Sequence, residues 1–172
     1  VVYIVLGQTH PNLLRDEGEA YRLSLERLAK DLGVLKHVVF FNRFVELEEL
    51  MRFIGAADIY VTPYLNKAQA TSGTLCYAFG CGKAVISTPY WHAKELLADG
   101  RGILVPFGDS SAIGTEISAL LVNDVRRHAM RKRAYAASRS MIWSQVAKSY
   151  LATFERVLQP TITSPTDPND HH

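Results

Sequence analysis

The sequence predicts an α/β fold, a Rossmann-like doubly wound parallel sheet. Short β-branched runs alternate with longer amphipathic stretches, and strands that are separated by helical crossovers pair in parallel. The first run, "VVYIVLG" at 1–7, is continuously apolar and ends in glycine, which is typical of a strand buried on both faces. A chain of 172 residues is long enough for one domain with a substantial core.

The same pattern divides the chain into five strands and seven helices. The first helical stripe is stopped by Gly33, and Pro63 ends the third strand. We assign 1–158 to one domain and expect 159–172, which is rich in Pro, Thr and Asp, to be disordered. The predicted strands are 1–7, 37–41, 58–63, 83–88 and 101–106, and the predicted helices are 13–32, 46–57, 72–81, 91–100, 110–122, 124–138 and 143–158.

The composition is that of an ordinary globular protein, with 48% apolar and 21% charged residues. A net charge of +2 does not indicate nucleic-acid binding. Cys76 and Cys81 have the spacing of neither a zinc site nor a disulfide framework, so we expect reduced core thiols and a cytoplasmic protein. No apolar run approaches the roughly 20 residues of a membrane span, and we expect no signal peptide.

Every chemically informative segment follows a predicted strand. These segments are "GQTHPN", "NRFVE", "PYLNKAQATSGT" and "PYWHAKE", after strands one to four respectively. In doubly wound sheets, ligands bind beyond the carboxyl ends of the strands. The positions of these four loops therefore indicate a binding site at that edge more strongly than any single motif does.

The segment "QATSGTL" has the composition of a phosphate-binding turn. It precedes a helix, whose first N–H groups and positive dipole end favour anions, and Gly73 permits close approach of the backbone. The lysine of a P-loop is absent, which argues against a P-loop NTPase. The alternative is a plain N-cap, because Ser or Thr before a helix needs no ligand. We interpret the nearby turn "GCGKA" at 80–84 as structural.

The remaining polar candidates each have a structural alternative. His10 is a loop histidine that is more often structural than catalytic. Arg43, next to Asn42, could pair with phosphate or be a solvated loop charge, and Glu95 could bind sugar hydroxyls or start a helix. A basic segment, consisting of Arg126, Arg127, Arg131, Lys132 and Arg133, could be a solvated helix face or a surface that attracts anionic lipid headgroups.

Taken in order, these blocks resemble a known family. The chain resembles the C-terminal, donor-binding domain of GT-B fold glycosyltransferases in the retaining family four class, which includes glycogen synthase-like and mannosyltransferase-like enzymes. The resemblance covers roughly residues 1–158. The matching blocks are "YIVLG", "VVFFNRFVELEELMRFIGAADIYVTPY", "GCGKAVIST", "KELLADGRGILVPFGD" and "MIWSQVAKSYLATFERV".

The resemblance implies that the domain holds a nucleotide-sugar, UDP- or GDP-linked, whose sugar is transferred with retention of configuration. It implies that the acceptor, a glycan or lipid, is bound mainly by a separate N-terminal domain, and that neither metal nor cofactor is required. No side-chain nucleophile is implied. The implied roles are diphosphate binding by Thr71, Ser72, Gly73, Thr74 and Leu75, donor-sugar binding by Gln69 and Lys67, and nucleotide binding by Gly7, Asn42, Arg43 and Tyr77.

The chain departs from the family pattern in two respects. Gln69 and Tyr77 stand where the family carries two glutamates, so the charged contacts to sugar and ribose are replaced by neutral hydrogen-bonding groups. The chain also begins at what resembles the domain's second strand, without its first strand and helix. We expect that a partner chain, including a second copy, completes the sheet or that the chain is a remnant, and that it does not catalyse alone.

Two other functions fit the sequence. A nucleotide-sugar epimerase of the same architecture would use acid/base groups at the cleft, for which His10 and Glu95 are the candidates. A non-catalytic nucleotide-sugar-binding or scaffold module would account for the loss of both motif glutamates.

Overall fold

The computed structural model describes residues 1–158. They divide into two compact units, Val1–Phe53 and the chain from Ile54 onward. The predicted disorder of 159–172 falls outside the described residues. The assignment of 1–158 to a single domain stays a prediction.

The first unit contains a two-stranded parallel sheet. Strands β1 (Tyr3–Leu6) and β2 (Val38–Phe41) pair with Tyr3 opposite Val38. The ring of Phe41 meets that of Phe53 edge-on at a centroid distance of 5.0 Å. The helices are α1 (Pro11–Glu17), α2 (Ala20–Asp31) and α3 (Leu47–Ala56), with a 3-10 turn at Leu35–His37; the last residues of α3 lie in the second unit.

The single helix predicted over 13–32 is wrong, because the structure has two helices there. Pro11 starts α1 earlier than expected, as a residue whose fixed φ suits the first helical turn. Gly18 ends it: this residue has a φ of +60°, and its N–H donates to the Leu14 carbonyl at 3.0 Å. A left-handed glycine is a common end of a helix, and here it interrupts an apolar stripe that continues on both sides.

The second unit contains a three-stranded parallel sheet in the order β3-β4-β5. Ile59 lies opposite Ala84, and Ser87 lies opposite Leu104. The elements are β3 (Ile59–Thr62), α4 (Gly73–Gly80), β4 (Ala84–Ser87), α5 (Trp91–Leu96), β5 (Ile103–Leu104), α6 (Ser110–Val122), α7 (Asp124–Ser138), a 3-10 turn (Arg139–Met141) and α8 (Trp143–Leu158).

The core of the second unit forms around its central strand. All four residues of β4 are buried, as expected for a strand with a neighbour on each side and helices on its faces. The buried cluster consists of Ala84, Ile86, Val105, Leu120 and Met130. The α/β class with parallel sheets is confirmed, and the described strands pair as two sheets.

Lys83, the residue before β4, is a buried cation that closes a helix end. Its Nζ donates to the carbonyls of Gly55 and Ala57, at 2.6 and 2.9 Å, at the C-terminus of α3. An ammonium group satisfies carbonyls there and complements the negative end of the helix dipole. Burial lowers the pKa of Lys83, and the neighbouring charge of Arg131 lowers it further.

Three arginines of the basic segment of α7 hydrogen-bond to the protein's own backbone through their side chains, and a fourth pairs with a glutamate. Arg131 Nε donates to the Gly82 carbonyl at 3.1 Å and Arg133 Nε to the Gly100 carbonyl at 2.9 Å. Arg127 donates to the Leu120 carbonyl at 2.7 Å, and Arg126 pairs with Glu116 at 2.9 Å. These arginines fasten α7 to turns of the second unit. Within residues 1–158, no helix combines the length and apolarity that crossing a membrane requires.

Gly82 lies where the "GCGKA" turn meets α7. Its φ is +62°, and a Cβ placed on it would stand 2.9 Å from the Cβ of Tyr135 and 3.2 Å from the carbonyl oxygen of Arg131. Only glycine combines a left-handed conformation with this close approach. The interpretation of this turn as structural therefore agrees with its geometry.

Replacing Gly82 with alanine should lower the free energy of unfolding by about 2–4 kcal/mol, because a left-handed alanine and an overpacked contact add together. Chemical unfolding measures this change. Gly114→Ala is the control: the position lies inside α6, a Cβ there meets nothing within 4 Å, and alanine should stabilise the helix by about 0.5–1 kcal/mol. Wild-type stability of Gly82→Ala would contradict the close approach.

Candidate functional site

The loop between β3 and α4 ends at Ser72, which caps the helix. Ser72 is extended, with φ −136° and ψ 108°, and its Oγ accepts from the Leu75 N–H at 3.3 Å. Its carbonyl accepts from the Cys76 N–H at 3.1 Å, so the helical ladder begins there. Ser72 is therefore the N-cap residue of α4, as the alternative interpretation of this segment predicts.

Two backbone N–H groups at the start of α4 remain open. Among the residues that the structure describes, neither Gly73 nor Thr74 donates its N–H to a protein acceptor. These are the donors that a helix leaves free in its first turn, at the positive end of its dipole. The hydroxyl of Thr74 lies 3.5 Å from that of Ser72. These two N–H groups and the neighbouring hydroxyl can donate hydrogen bonds to a bound anion.

The other residues predicted around this turn differ in their availability. Leu75 is fully buried and its N–H is occupied by Ser72. The Gln69 side-chain amide folds back on the loop and donates to the Thr71 carbonyl at 2.6 Å. Lys67 is exposed, and Tyr77, one turn into α4, is 39% exposed.

His92 contacts the same turn, and our sequence analysis missed it. Its Nδ1 accepts from the Ser72 N–H at 3.0 Å, and its Nε2 lies 3.8 Å from the sulfur of Cys76. Burial raises the pKa of the Cys76 thiol, which favours the protonated form of this sulfur. The available signal was the position of His92 after the fourth strand, in the segment from which we selected Glu95.

Aromatic side chains support the beginning of the loop. The rings of Tyr64 and Tyr90 meet edge-on at a centroid distance of 5.3 Å. The Thr88 hydroxyl donates to the Tyr64 carbonyl, and the Ser87 hydroxyl donates to the Thr62 carbonyl at 3.0 Å. Side chains at the carboxyl end of β4 therefore anchor the backbone that leaves the neighbouring β3.

In the first unit, Glu19 connects the ends of β1 and β2. Its carboxylate accepts from the Thr9 hydroxyl at 2.9 Å, from Arg22 Nε at 2.7 Å and from the Asn42 side-chain amide at 3.3 Å. The hydrogen bond from Arg22 lowers the pKa of Glu19 most, and the bond from Thr9 adds to it. Asn42 is thus oriented by a residue that no motif pointed to.

The remaining predicted residues of the first unit have local roles. Gly7, with φ +130°, donates its N–H to the Phe41 carbonyl at 3.1 Å. Both terminal nitrogens of Arg43 bond to the carboxylate of Glu49, which includes a contact of 2.9 Å from NH1 to Oε2. His10 caps α1, because its Nδ1 accepts from the Asn12 N–H at 3.2 Å. This contact supports the structural interpretation of His10.

The predicted site residues are distributed over both units. Gly7, Asn42 and Arg43 belong to the first, and the residues from Lys67 to Tyr77 belong to the second. Nowhere in residues 1–158 do three or more His, Cys, Asp or Glu side chains come together in a way that could hold a metal ion.

Comparison with known proteins identifies the family. Residues 11–123 match the family model described as glycosyl transferases group 1, and the chain belongs to this family. It is 31% identical over 141 residues to an uncharacterized glycosyltransferase of Methanocaldococcus jannaschii. This alignment covers 80% of this chain and 36% of that protein. It is 33% identical over 119 residues to the GDP-mannose-dependent alpha-(1-6)-phosphatidylinositol monomannoside mannosyltransferase of Mycolicibacterium smegmatis, covering 66% and 31% respectively.

Solved structures share the fold. HepE of Anabaena in complex with UDP aligns with a TM-score of 0.72 at 21% identity, over 92% of this chain and 41% of that one. The C-terminal domain of the group 1 glycosyl transferase LpcC of Francisella tularensis aligns with a TM-score of 0.66 at 22% identity, over 78% and 66% respectively. The chain spans about a third of the length of the curated relatives it matches.

Replacing Glu19 with glutamine should destabilise the protein at neutral pH, because the neutral amide binds Arg22 and Thr9 more weakly. A lowered carboxylate pKa contributes stability above the unfolded value of about 4.3, and that contribution is lost as the pH falls through the folded value. The difference in melting temperature between wild type and variant should therefore shrink between pH 7 and about pH 3.

The control for this experiment is Glu48→Gln. Glu48 forms an exposed pair with Arg52 at 2.7 Å, and exposed pairs contribute little. A Glu19→Gln variant with the same small effect as the control at pH 7 would contradict the role of the carboxylate.

Proposed function

We propose that this chain is the donor-binding part of a retaining glycosyltransferase, which transfers a sugar from a nucleotide-diphosphate sugar to an acceptor glycan or lipid. The observation that carries the proposal is the pair of open N–H groups at Gly73 and Thr74, in a member of the glycosyl transferases group 1 family. As the chain spans about a third of its curated relatives, the acceptor would be bound mainly by the rest of the full-length protein.

The chemistry proposed for this turn is electrostatic. When the bond between sugar and diphosphate breaks, negative charge grows on the departing phosphate oxygens. Backbone N–H groups that already point toward that position stabilise the charge without reorganising, and the helix dipole adds to their effect. The hydroxyls of Thr71 and Thr74 supply further donors, and Ser72 holds the backbone in place. The Leu75 N–H takes no part while Ser72 occupies it.

The groups around the diphosphate have supporting roles in this proposal. Gln69 and Lys67 would bind the donor sugar, for which the Gln69 amide must leave the Thr71 carbonyl. In the first unit, Glu19 orients Asn42 and Glu49 binds Arg43, and both Asn42 and Arg43 stay proposed nucleotide contacts. Gly7 and Tyr77 would be the remaining nucleotide-binding residues.

The comparisons support the substrate class. One relative is named for its dependence on GDP-mannose, and HepE has been solved with UDP and with UDP-glucose. Two relatives are mannosyltransferases whose names contain phosphatidylinositol or phosphatidyl-myo-inositol, which are lipids, and these names support a lipid among the proposed acceptors. Contact with anionic lipid headgroups through the basic segment stays part of the proposal. Arg126, Lys132 and Arg133 are exposed, whereas Arg127 and Arg131 are half-buried and bonded to carbonyls of the fold.

Calorimetric titration of the full-length protein with UDP-glucose and with GDP-mannose tests the function. We expect one of the two to bind with a Kd in the range of about 1 μM to 1 mM that is usual for enzyme substrates. Absence of binding by either donor would contradict the proposal. Binding without sugar transfer or donor hydrolysis would favour the non-catalytic module instead. Transfer that survives both Gln69→Ala and Thr74→Ala would contradict the site assignment.

Gly73→Val tests the open N–H groups directly. A Cβ at Gly73 meets nothing within 4 Å, so valine should fold normally while its branched side chain obstructs access to the N–H groups. We expect donor affinity to fall at least tenfold, with the melting temperature little changed. Gly73→Ala is the matched control and should lose less affinity, because it adds a single methyl group. Equal donor binding by Gly73→Val and wild type would contradict the cradle.

A further inference from the structure

We propose that His92 is a positioning residue of the donor site: its imidazole holds Ser72 and thereby determines which N–H groups of the α4 N-terminus face the diphosphate. This inference rests on the proposed function and assigns a specific role within it. His92 is half-buried and lies in the first turn of α5, a different element from the loop that it holds.

The hydrogen bond determines the tautomer of the ring. The Ser72 N–H donates to Nδ1 at 3.0 Å, so Nδ1 carries no proton and offers a lone pair. The proton of the neutral ring is then on Nε2, 3.8 Å from the Cys76 sulfur, which is a weak acceptor. Both ring nitrogens are therefore engaged, one with the N-cap residue and one with the first turn of α4.

The first turn of α5 contacts the loop that precedes α4 at several points. Besides the ring, the Trp91 N–H donates to the Lys67 carbonyl at 3.2 Å, and the His92 N–H donates to the Gln69 carbonyl at 3.4 Å. Two consecutive residues thus contact the loop at three points. The two backbone contacts form with any residue type at 91 and 92, whereas the third requires a side-chain acceptor at the position of Nδ1.

The third contact decides which donors remain open. With Ser72 N–H bonded to His92 and Leu75 N–H bonded to the Ser72 hydroxyl, the open groups are those of Gly73 and Thr74. Without the ring acceptor, the Ser72 N–H loses its partner and the residue loses its connection to α5. The cap can then rotate, and the two open N–H groups are no longer held in one direction before the donor binds.

Asparagine and glutamine at position 92 separate positioning from simple packing. The Asn oxygen can take the place of Nδ1, whereas the Gln side chain places its polar end near Nε2 instead. With UDP or GDP as the probe, whichever binds wild type, we expect His92→Asn to stay within about twofold of the wild-type Kd, since one acceptor replaces another. His92→Gln and His92→Leu should bind about fivefold to tenfold more weakly, the effect of one lost hydrogen bond.

Labelling histidine with ¹⁵N reports the tautomer of the ring in the full-length protein. The signal that disappears in His92→Asn should be that of a ring whose Nδ1 is unprotonated and whose Nε2 carries the proton. His128, an exposed histidine of α7, supplies the control: His128→Asn should leave both the nucleotide affinity and that signal unchanged.

Three results would overturn the inference. If His92→Leu binds the nucleotide as wild type does, the ring does not position the site, although the proposed function stands. If His92→Asn is as weak as His92→Leu with an unchanged melting temperature, or if the ring proton is on Nδ1, the acceptor role is wrong. If wild type binds neither UDP nor GDP, the inference and the proposed function fail together.

Discussion

The hydrogen bonding of Ser72 is the constraint on which the rest of the candidate site depends. Its hydroxyl, carbonyl and N–H are all engaged, with Leu75, Cys76 and His92 respectively. A helix of eight residues has few intrahelical bonds, so its start is defined mainly by the cap. This one residue is held at three atoms, and within residues 1–158 the two N–H groups that follow it have no protein acceptor, as is usual in the first turn of a helix.

A second constraint comes from the parallel strands β3, β4 and β5 of the second unit. Their carboxyl ends lie along one edge, so residues that follow β4 can hold the backbone that follows β3. The hydroxyls of Ser87 and Thr88 donate to the carbonyls of Thr62 and Tyr64. The first turn of α5 donates backbone N–H groups to the loop that follows. At the opposite end of β4, Lys83 closes α3. The loop that we assign to the donor is therefore carried by rigid elements, as a binding site requires.

Much of the fold was predictable because it depends on local patterns. Hydrophobic periodicity and capping residues located every strand and each α-helix from α3 to α8, and α6, α7 and α8 have the predicted bounds. The failure at 13–32 has a local cause: the apolar stripe continues past Gly18, and periodicity does not report the backbone conformation of a glycine. The basic segment shows the other limit. Charge alone did not indicate that Arg131 and Arg133 bond to carbonyls far away in the chain.

The sequence by itself determined the class of fold, the family and the turn before α4, since these depend on residue type, order and spacing along the chain. Tertiary structure decided which atoms of that turn remain open. The partners of Ser72 and Asn42 are His92, 20 residues away, and Glu19, 23 residues away. Contacts over such separations leave no periodic signal, because they depend on how crossovers bring the ends of strands together. For that reason composition could propose Thr71, Gly73 and Thr74 as site residues, but it could not point to His92 and Glu19, which bond to Ser72 and Asn42.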